Sequence, residues 1–346
     1  MQDPLTEGRV RAAASRAAGR DRSAAAVRRL AGHASMRSYW RVGTPPESVV
    51  VMVMPPDARP EEVTQGGPPD VNPFVDVQRY LQGLGVRVPA IHAFEEAEGL
   101  MVLEDLGDEM VETRLAAGAA REPLYREAVD QLARLRAAAE RRPEGCVAFT
   151  RAFDRELYLW ELWHFVEWGL EAGKGARLSP GERERVTFHF ERMARALEAE
   201  PRGFTHRDYQ SRNLMVLPSG AQALIDFQDA LLGPRQYDLV ALLRDSYVEL
   251  EPAFVEAMLH RYLEALAEAG GPRLEYPPFR ATFDLLTVQR KLKDAGRFVF
   301  IDRVKKNPDF LRFIPSSLRY VREALARRPD LAELGGLLAR HVPELG

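Results

Sequence analysis

Asp208, Asn213 and Asp226 are three side chains with oxygen donors, strung along residues 204–229, FTHRDYQSRNLMVLPSGAQALIDFQD. Their order is His-x-Asp, four residues, Asn, and then Ile-Asp-Phe about a dozen residues on. Phosphoryl transfer asks a protein mainly to position groups and neutralise charge, which takes a carboxylate near the acceptor hydroxyl and oxygen ligands for magnesium. Asp208 suits the first task, Asn213 and Asp226 the second. Taken singly, His206 could be an ordinary core histidine and Asp226 a turn cap. The signal lies in the ordered set.

The elements around these residues would position them. Residues 214–216 and 223–225 read as two short strands about the turn Pro218-Ser219-Gly220, a hairpin that would bring Asn213 and Asp226 together. Gly233-Pro234-Arg235 is a turn, and a helix opens at Gln236 with Asp238 in its first turn, placed to cap it or brace the catalytic loop.

Upstream, an Ala- and Arg-rich first helix around residues 9–29 reads as solvated and amphipathic. Residues 30–42 read as strand, tight loop and strand; the small residues Gly32, Ala34, Ser35 and Ser38 would let backbone approach phosphates, and Arg37 could add charge. An ordinary hairpin explains this stretch as well. Residues 48–54, SVVVMVM, form a buried strand stopped by two prolines. Residues 59–73 read as a loop, a helix follows from Asn72 to about Leu84, and residues 100–106 end a strand in Glu104-Asp105-Leu106, which suits an interlobe hinge.

From residue 122 onward the pattern is helical. Residues 153–170 gather Trp160, Trp163, Phe165 and Trp168 into one helix, aromatic spacing that belongs to a core more often than to a sugar-stacking surface. Residues 289–293, QRKLK, read as a solvated basic face, though they fall where the lid of an acceptor pocket could be.

With 346 residues and 46% hydrophobic content, the chain can build about two lobes. A net charge of -3 gives no field favouring nucleic acid or an anionic membrane. The single cysteine, Cys146, fits a reducing compartment, and no apolar run is long enough to span a bilayer. A cytoplasmic monomer that binds neither nucleic acid nor membrane is expected.

With Leu-Glu-Asp-Leu-Gly, His-Arg-Asp-x-x-x-x-Asn and Ile-Asp-Phe in this order, nearly the whole chain resembles the aminoglycoside phosphotransferase and choline kinase-like superfamily. Residues 32–42, 52–56, 206–215 and 225–239 look more closely like the bacterial anomeric N-acetylmuramate/N-acetylglucosamine kinases. That resemblance implies an α+β, bilobal, protein kinase-like fold. Residues 1–107 would form an N-lobe with a small antiparallel β-sheet and a helix, which binds nucleotide. Residues 108–346 would form a larger, mainly α-helical C-lobe for catalysis and the amino-sugar acceptor. It implies ATP and Mg2+ as cofactors and phosphorylation of the C1 hydroxyl in peptidoglycan recycling.

Residue by residue, the resemblance makes Asp208 the base or orienting group and Asn213 and Asp226 the magnesium ligands, with Glu104, Asp105 and Leu106 against adenine. Gln210, Gln228 and Asp229 fall near the acceptor. For an acidic acceptor, Arg207, Arg212, Arg244, Arg290 and Lys293 are candidate cations that the sequence leaves unranked. Protein kinases carry a phosphate-binding lysine on the third strand, but residues 51–54 here read VMVM. Ser35, Arg37 and Arg41 of the N-terminal strand-loop-strand are the candidates for the missing phosphate contact. Two other functions remain open: a kinase for an aminoglycoside or amino alcohol, and a pseudokinase-type nucleotide-binding module.

Overall fold

Residues 4–30, 37–54 and 71–346 are described by a computed structural model. The expected phosphate loop tip, with Ser35, and most of the proline-rich stretch before Asn72 lie outside the described residues. The chain groups into two compact units, residues 1–109 with 215–225, and residues 110–214 with 226–346.

The smaller unit opens with α1 (Pro4–Ala18), followed by β1 (Val27–Arg29), β2 (Ser38–Val42), β3 (Val49–Val53), α2 (Pro73–Gly83), β4 (Ile91–Glu95) and β5 (Leu100–Glu104). The strands form one antiparallel sheet in the order β1-β2-β3-β5-β4. Trp40 pairs with Val51 and Val51 with Val102. Strand side chains alternate between faces, so these three share a face with Val42, Val49 and Leu100. Val10, Ala13 and Ala14 of α1 join that cluster and are fully buried. The first helix therefore starts earlier and ends sooner than its composition suggests, and one side of it is core rather than solvated. Alanine conceals the buried stripe, because it is small and weakly apolar. Asn72 caps α2 by accepting from the backbone N–H of Phe74 and Val75, and Phe74, Val77, Tyr80 and Leu81 are buried.

The larger unit is mainly helical: α3 (Val111–Ala116), α4 (Arg121–Glu140), α5 (Arg155–His164), α6 (Pro180–Glu198), α7 (Tyr237–Leu243), α8 (Pro252–Glu268), α9 (Tyr276–Lys305), α10 (Ile314–Ala326) and α11 (Ala332–Ala339). Its β6 (Arg202–Thr205) pairs with β9 (Leu231–Pro234), while β7 (Leu214–Val216) and β8 (Gln222–Leu224) form the expected hairpin. Gly220 makes its turn at φ +85, a conformation that glycine adopts without strain. The hairpin groups with the smaller unit, where Leu224 N–H donates to the Arg87 carbonyl and Val216 N–H to that of Glu109.

Helix α9 organises the larger unit. Every residue from Thr282 to Lys293 is buried, and the helix packs against α5, α6, α7 and α10. The basic run at 290–293 is thus not a solvated face: Arg290, Lys291 and Lys293 are 2%, 2% and 8% exposed. Long charged side chains go inside only when paired, and the site below supplies the partners. The aromatic helix also departs from expectation. It is α-helical to His164 and then π-helical over Phe165–Ala172, packed on α9 at Gly296, where a Cβ would lie 2.8 Å from Phe165 Cα. Trp160 is 42% exposed, so this segment is only partly core.

Candidate active site

Strand β6 delivers the chain into the loop 206–210, whose backbone is fixed from several sides. The buried carboxylate of Asp238, in the first turn of α7, accepts the backbone N–H of His206 at 2.8 Å and of Arg207 at 2.9 Å. Asp238 is therefore the brace that its position suggested. Burial pushes its carboxyl pKa up, and the charge of His206 and those two N–H donors offset this only in part. Between the clamped amides Arg207 takes φ +78, left-handed backbone that a side chain normally avoids. Such strain persists only where neighbours over-determine it. Arg290 Nη1 completes the hold by donating to the Arg207 carbonyl at 2.8 Å.

Further along, Tyr209 Oη donates to the Ala128 carbonyl, and the backbone N–H and Oγ of Ser211 donate to Asp245 at 3.0 and 2.6 Å. The loop presents Asp208 with its side chain 36% exposed. Arg290 Nη2 donates to Asp208 Oδ1 at 2.9 Å. Burial raises the Asp208 pKa, but the charges of Arg290, Lys293 and Arg207 outweigh it, and the carboxyl is held well below the usual carboxylate range. Asp208 is consequently a weak base and a persistent anion, better suited to orienting a hydroxyl than to removing its proton early.

Asn213 Nδ2 donates to the Asp208 carbonyl at 2.9 Å, which directs the amide oxygen away from that contact. Asp226 follows β8 by two residues at φ +64, with Gln228 Nε2 donating to its Oδ1 at 3.0 Å and to Asp229 Oδ2 at 2.9 Å. Asn213 and Asp226 bracket the hairpin, and both belong to the larger unit. An amide oxygen and a carboxylate are the hard donors that magnesium accepts when phosphate oxygens and water complete its octahedron.

The remaining candidates separate clearly. Arg207 pairs with fully buried Glu161 at 3.3 Å. Arg212 makes a two-pronged pair with Glu112 at 2.8 and 2.7 Å and lies 3.6 Å from the Tyr247 ring centroid. Arg244 is buried between the Phe283 and Tyr320 rings and pairs with Glu323 at 3.1 Å. Gln210 joins the loop through its backbone, donating to the Asp208 carbonyl and accepting from Asn213.

In the smaller unit, Arg41 donates through Nε and Nη2 to Asp105 at 2.5 and 2.8 Å and through Nη1 to Asp108 at 2.6 Å. Ser48 Oγ and the Gly107 N–H complete the shell of Asp105. The charge looked for at Arg41 is thus engaged by two carboxylates. Glu104 pairs with Arg87 and accepts the Ala90 N–H, Leu106 is half-buried, and Arg37 sits half-buried at the entry to β2.

Sequence reading passed over Glu161 and Asp294 and met Gln289 only as part of the basic run, yet all three share a buried polar cluster with Arg207, Arg290 and Lys293. A signal existed for Glu161: it is the carboxylate within the aromatic run LYLWELWHFV.

Comparisons with known proteins agree with this geometry. The profile of a phosphotransferase enzyme family matches residues 26–276. The chain is 37% identical over 310 residues to the N-acetylmuramate/N-acetylglucosamine kinase of Pseudomonas aeruginosa, covering 88% of this chain and 86% of the relative. To the protein of the same name from Neisseria meningitidis serogroup B it is 34% identical over 317 residues, covering 90% and 89%. An ADP-bound crystal structure of an aminoglycoside phosphotransferase superposes with a TM-score of 0.56 at 12% identity, covering 86% of this chain and 94% of that one, a likeness of fold alone.

Proposed function

The chain belongs to the phosphotransferase enzyme family, and from that premise we propose that it transfers the γ-phosphoryl group of ATP to the anomeric C1 hydroxyl of N-acetylmuramate and N-acetylglucosamine. The observation that carries this reading is the braced loop that offers a partly open, ionised Asp208 beside Asn213, matched by relatives named for kinases of these two sugars.

In this reading Asp208 accepts a hydrogen bond from the C1 hydroxyl and holds its oxygen in line with the γ-phosphorus. An anomeric hydroxyl is more acidic than an ordinary alcohol, so its proton can pass to Asp208 late, as the phosphorus–oxygen bond forms. Arg290 keeps Asp208 aimed. Asn213 and Asp226 would hold magnesium, which neutralises phosphate charge when bound. Gln228 fixes the Asp226 rotamer for that task. The smaller unit would bind the nucleotide, with backbone near residues 104–106 against adenine, and the larger unit the sugar. Arg41 is tied to Asp105 and Asp108, and Arg37 is the other candidate for the phosphate-facing cation. A cytoplasmic site of action in peptidoglycan recycling accords with such substrates.

The test measures ATP consumption with N-acetylmuramate, N-acetylglucosamine, kanamycin and choline, together with loss of reducing-sugar signal, because phosphorylation at C1 blocks the reducing end. Turnover of the two amino sugars with matching loss of reducing ends is the expected result. ATP consumption with kanamycin or choline only, or with none of the four, would overturn the reading.

A further inference from the structure

The four cations of the buried polar cluster are not equally engaged. Arg290 holds Asp208 and the Arg207 carbonyl, Arg207 pairs with Glu161, and Lys291 donates to Asp294 at 2.7 Å and to Ser246 Oγ at 2.9 Å. Lys293 is different. Its Nζ lies 3.8 Å from Asp294 Oδ1 and 4.0 Å from Glu161 Oε1, both beyond hydrogen-bond range. Those carboxylates already have closer donors, since Glu161 also takes Gln289 Nε2 at 2.6 Å. An ammonium carries three donors, and a largely buried one ordinarily spends them. The Lys293 side chain nevertheless keeps 10% exposure.

Its location gives this shortfall a direction. Arg290 and Lys293 stand one turn apart on the same face of α9. Arg290 touches Asp208, and after Arg290 the Lys293 charge is the next strongest influence holding the Asp208 carboxyl ionised. Among the described residues, an under-used ammonium therefore sits one helical turn from the arginine that touches the carboxylate which would orient the acceptor hydroxyl. An acceptor with its own carboxylate would complete it, and N-acetylmuramate differs from N-acetylglucosamine by such a group, the lactyl acid on its ring. We infer that Lys293 binds the acceptor's carboxylate and so sets the preference between the two sugars. This rests on the kinase reading above.

Charge-assisted hydrogen bonds are the strong ones, and losing one costs on the order of 10- to 100-fold in affinity. Lys293→Gln should raise KM for N-acetylmuramate by about that factor more than it raises KM for N-acetylglucosamine, while any loss of the charge that helps keep Asp208 ionised should fall equally on kcat for both sugars. Lys293→Arg should largely keep the acid's advantage. A second arm needs no variant: wild-type enzyme given the lactyl amide of N-acetylmuramate should show the same rise in KM, and Lys293→Gln should no longer distinguish acid from amide. Equal rises in KM for both sugars, an unchanged KM for the acid, or wild-type indifference between acid and amide would each overturn the inference while leaving the kinase reading intact. Wild-type protein that phosphorylates neither sugar would sink both.

Discussion

Each unit contains a buried arginine bound to an aspartate, and the two pairs are built to different ends. In the smaller unit Asp105 is saturated: Arg41 meets it with two nitrogens, Ser48 and the Gly107 N–H add two more donors, and both side chains are 4% exposed. In the larger unit Asp208 receives a single donor from Arg290, whose other arm goes to the backbone, and it remains 36% exposed. The arginines are equally hidden; the carboxylates are not. A carboxylate accepts about four hydrogen bonds, so Asp105 has no capacity left for a ligand, whereas Asp208 has most of its own. The first pair is architecture that ties the end of β5 to β2. The second leaves an anion aimed outward.

The largest effect should come from the open carboxylate. Asp208→Ala removes the group proposed to orient the acceptor hydroxyl and should lower kcat by roughly 10²- to 10⁴-fold. Stability should fall as well, because buried Arg290 loses its carboxylate partner, but kcat of the folded fraction should fall far more than that loss accounts for. Steady-state kinetics beside a thermal melt checks both halves. A variant that unfolds but turns over normally when folded would erase the distinction between the pairs.

The converse substitution acts on stability. Arg41→Met keeps the apolar stem but strands Asp105 in a buried site, and breaking such a pair costs about 3 kcal/mol. Urea unfolding should show that loss, while kcat of the folded fraction should move far less than in Asp208→Ala. A large fall in affinity for ATP with undiminished stability would instead make Arg41 a phosphate ligand and the comparison void.

The contrast also marks what could be read from residues alone. Asp208, Asn213 and Asp226 stand out as candidates because their spacing falls within one short stretch, and the hairpin that Asn213 and Asp226 bracket follows from local turn residues. The Asp238 brace is legible for a similar reason, as an acid in the first turn of the helix that follows. Arg290 and Lys293 resist, because QRKLK has the polarity of a solvated face. What buries them are carboxylates remote in sequence, Glu161 and Asp208, together with Asp294 on the same helix. Periodicity assigns a charged residue to solvent unless its partner is known, and a partner across the fold leaves no local trace. The buried side of α1 is hidden differently, by alanines whose small apolar signal shows only once Trp40 and Val51 face them. The saturation of Asp105 by Arg41 likewise depends on β2 and the end of β5 flanking β3 in the sheet.

The smallest effect is a pH dependence that separates a saturated pair from a merely buried one. Burial pushes the Asp105 carboxyl up, but Arg41, Ser48 and the Gly107 N–H outweigh it, so its folded pKa lies below the ordinary value. A depressed carboxyl pKa adds stability that is fully present above the unfolded value, about 4, and is lost as pH falls through the lower folded value. The stability gap between wild type and Asp105→Asn should therefore be flat from about pH 7 to pH 5 and should narrow below about pH 4, where the unfolded chain's carboxyl takes up its proton before the native pair does. Urea midpoints measured in steps across that range give the curve directly. A gap that instead widened on acidification would mean that burial dominates at Asp105, that its donors do not saturate it, and that the two aspartates differ in exposure alone.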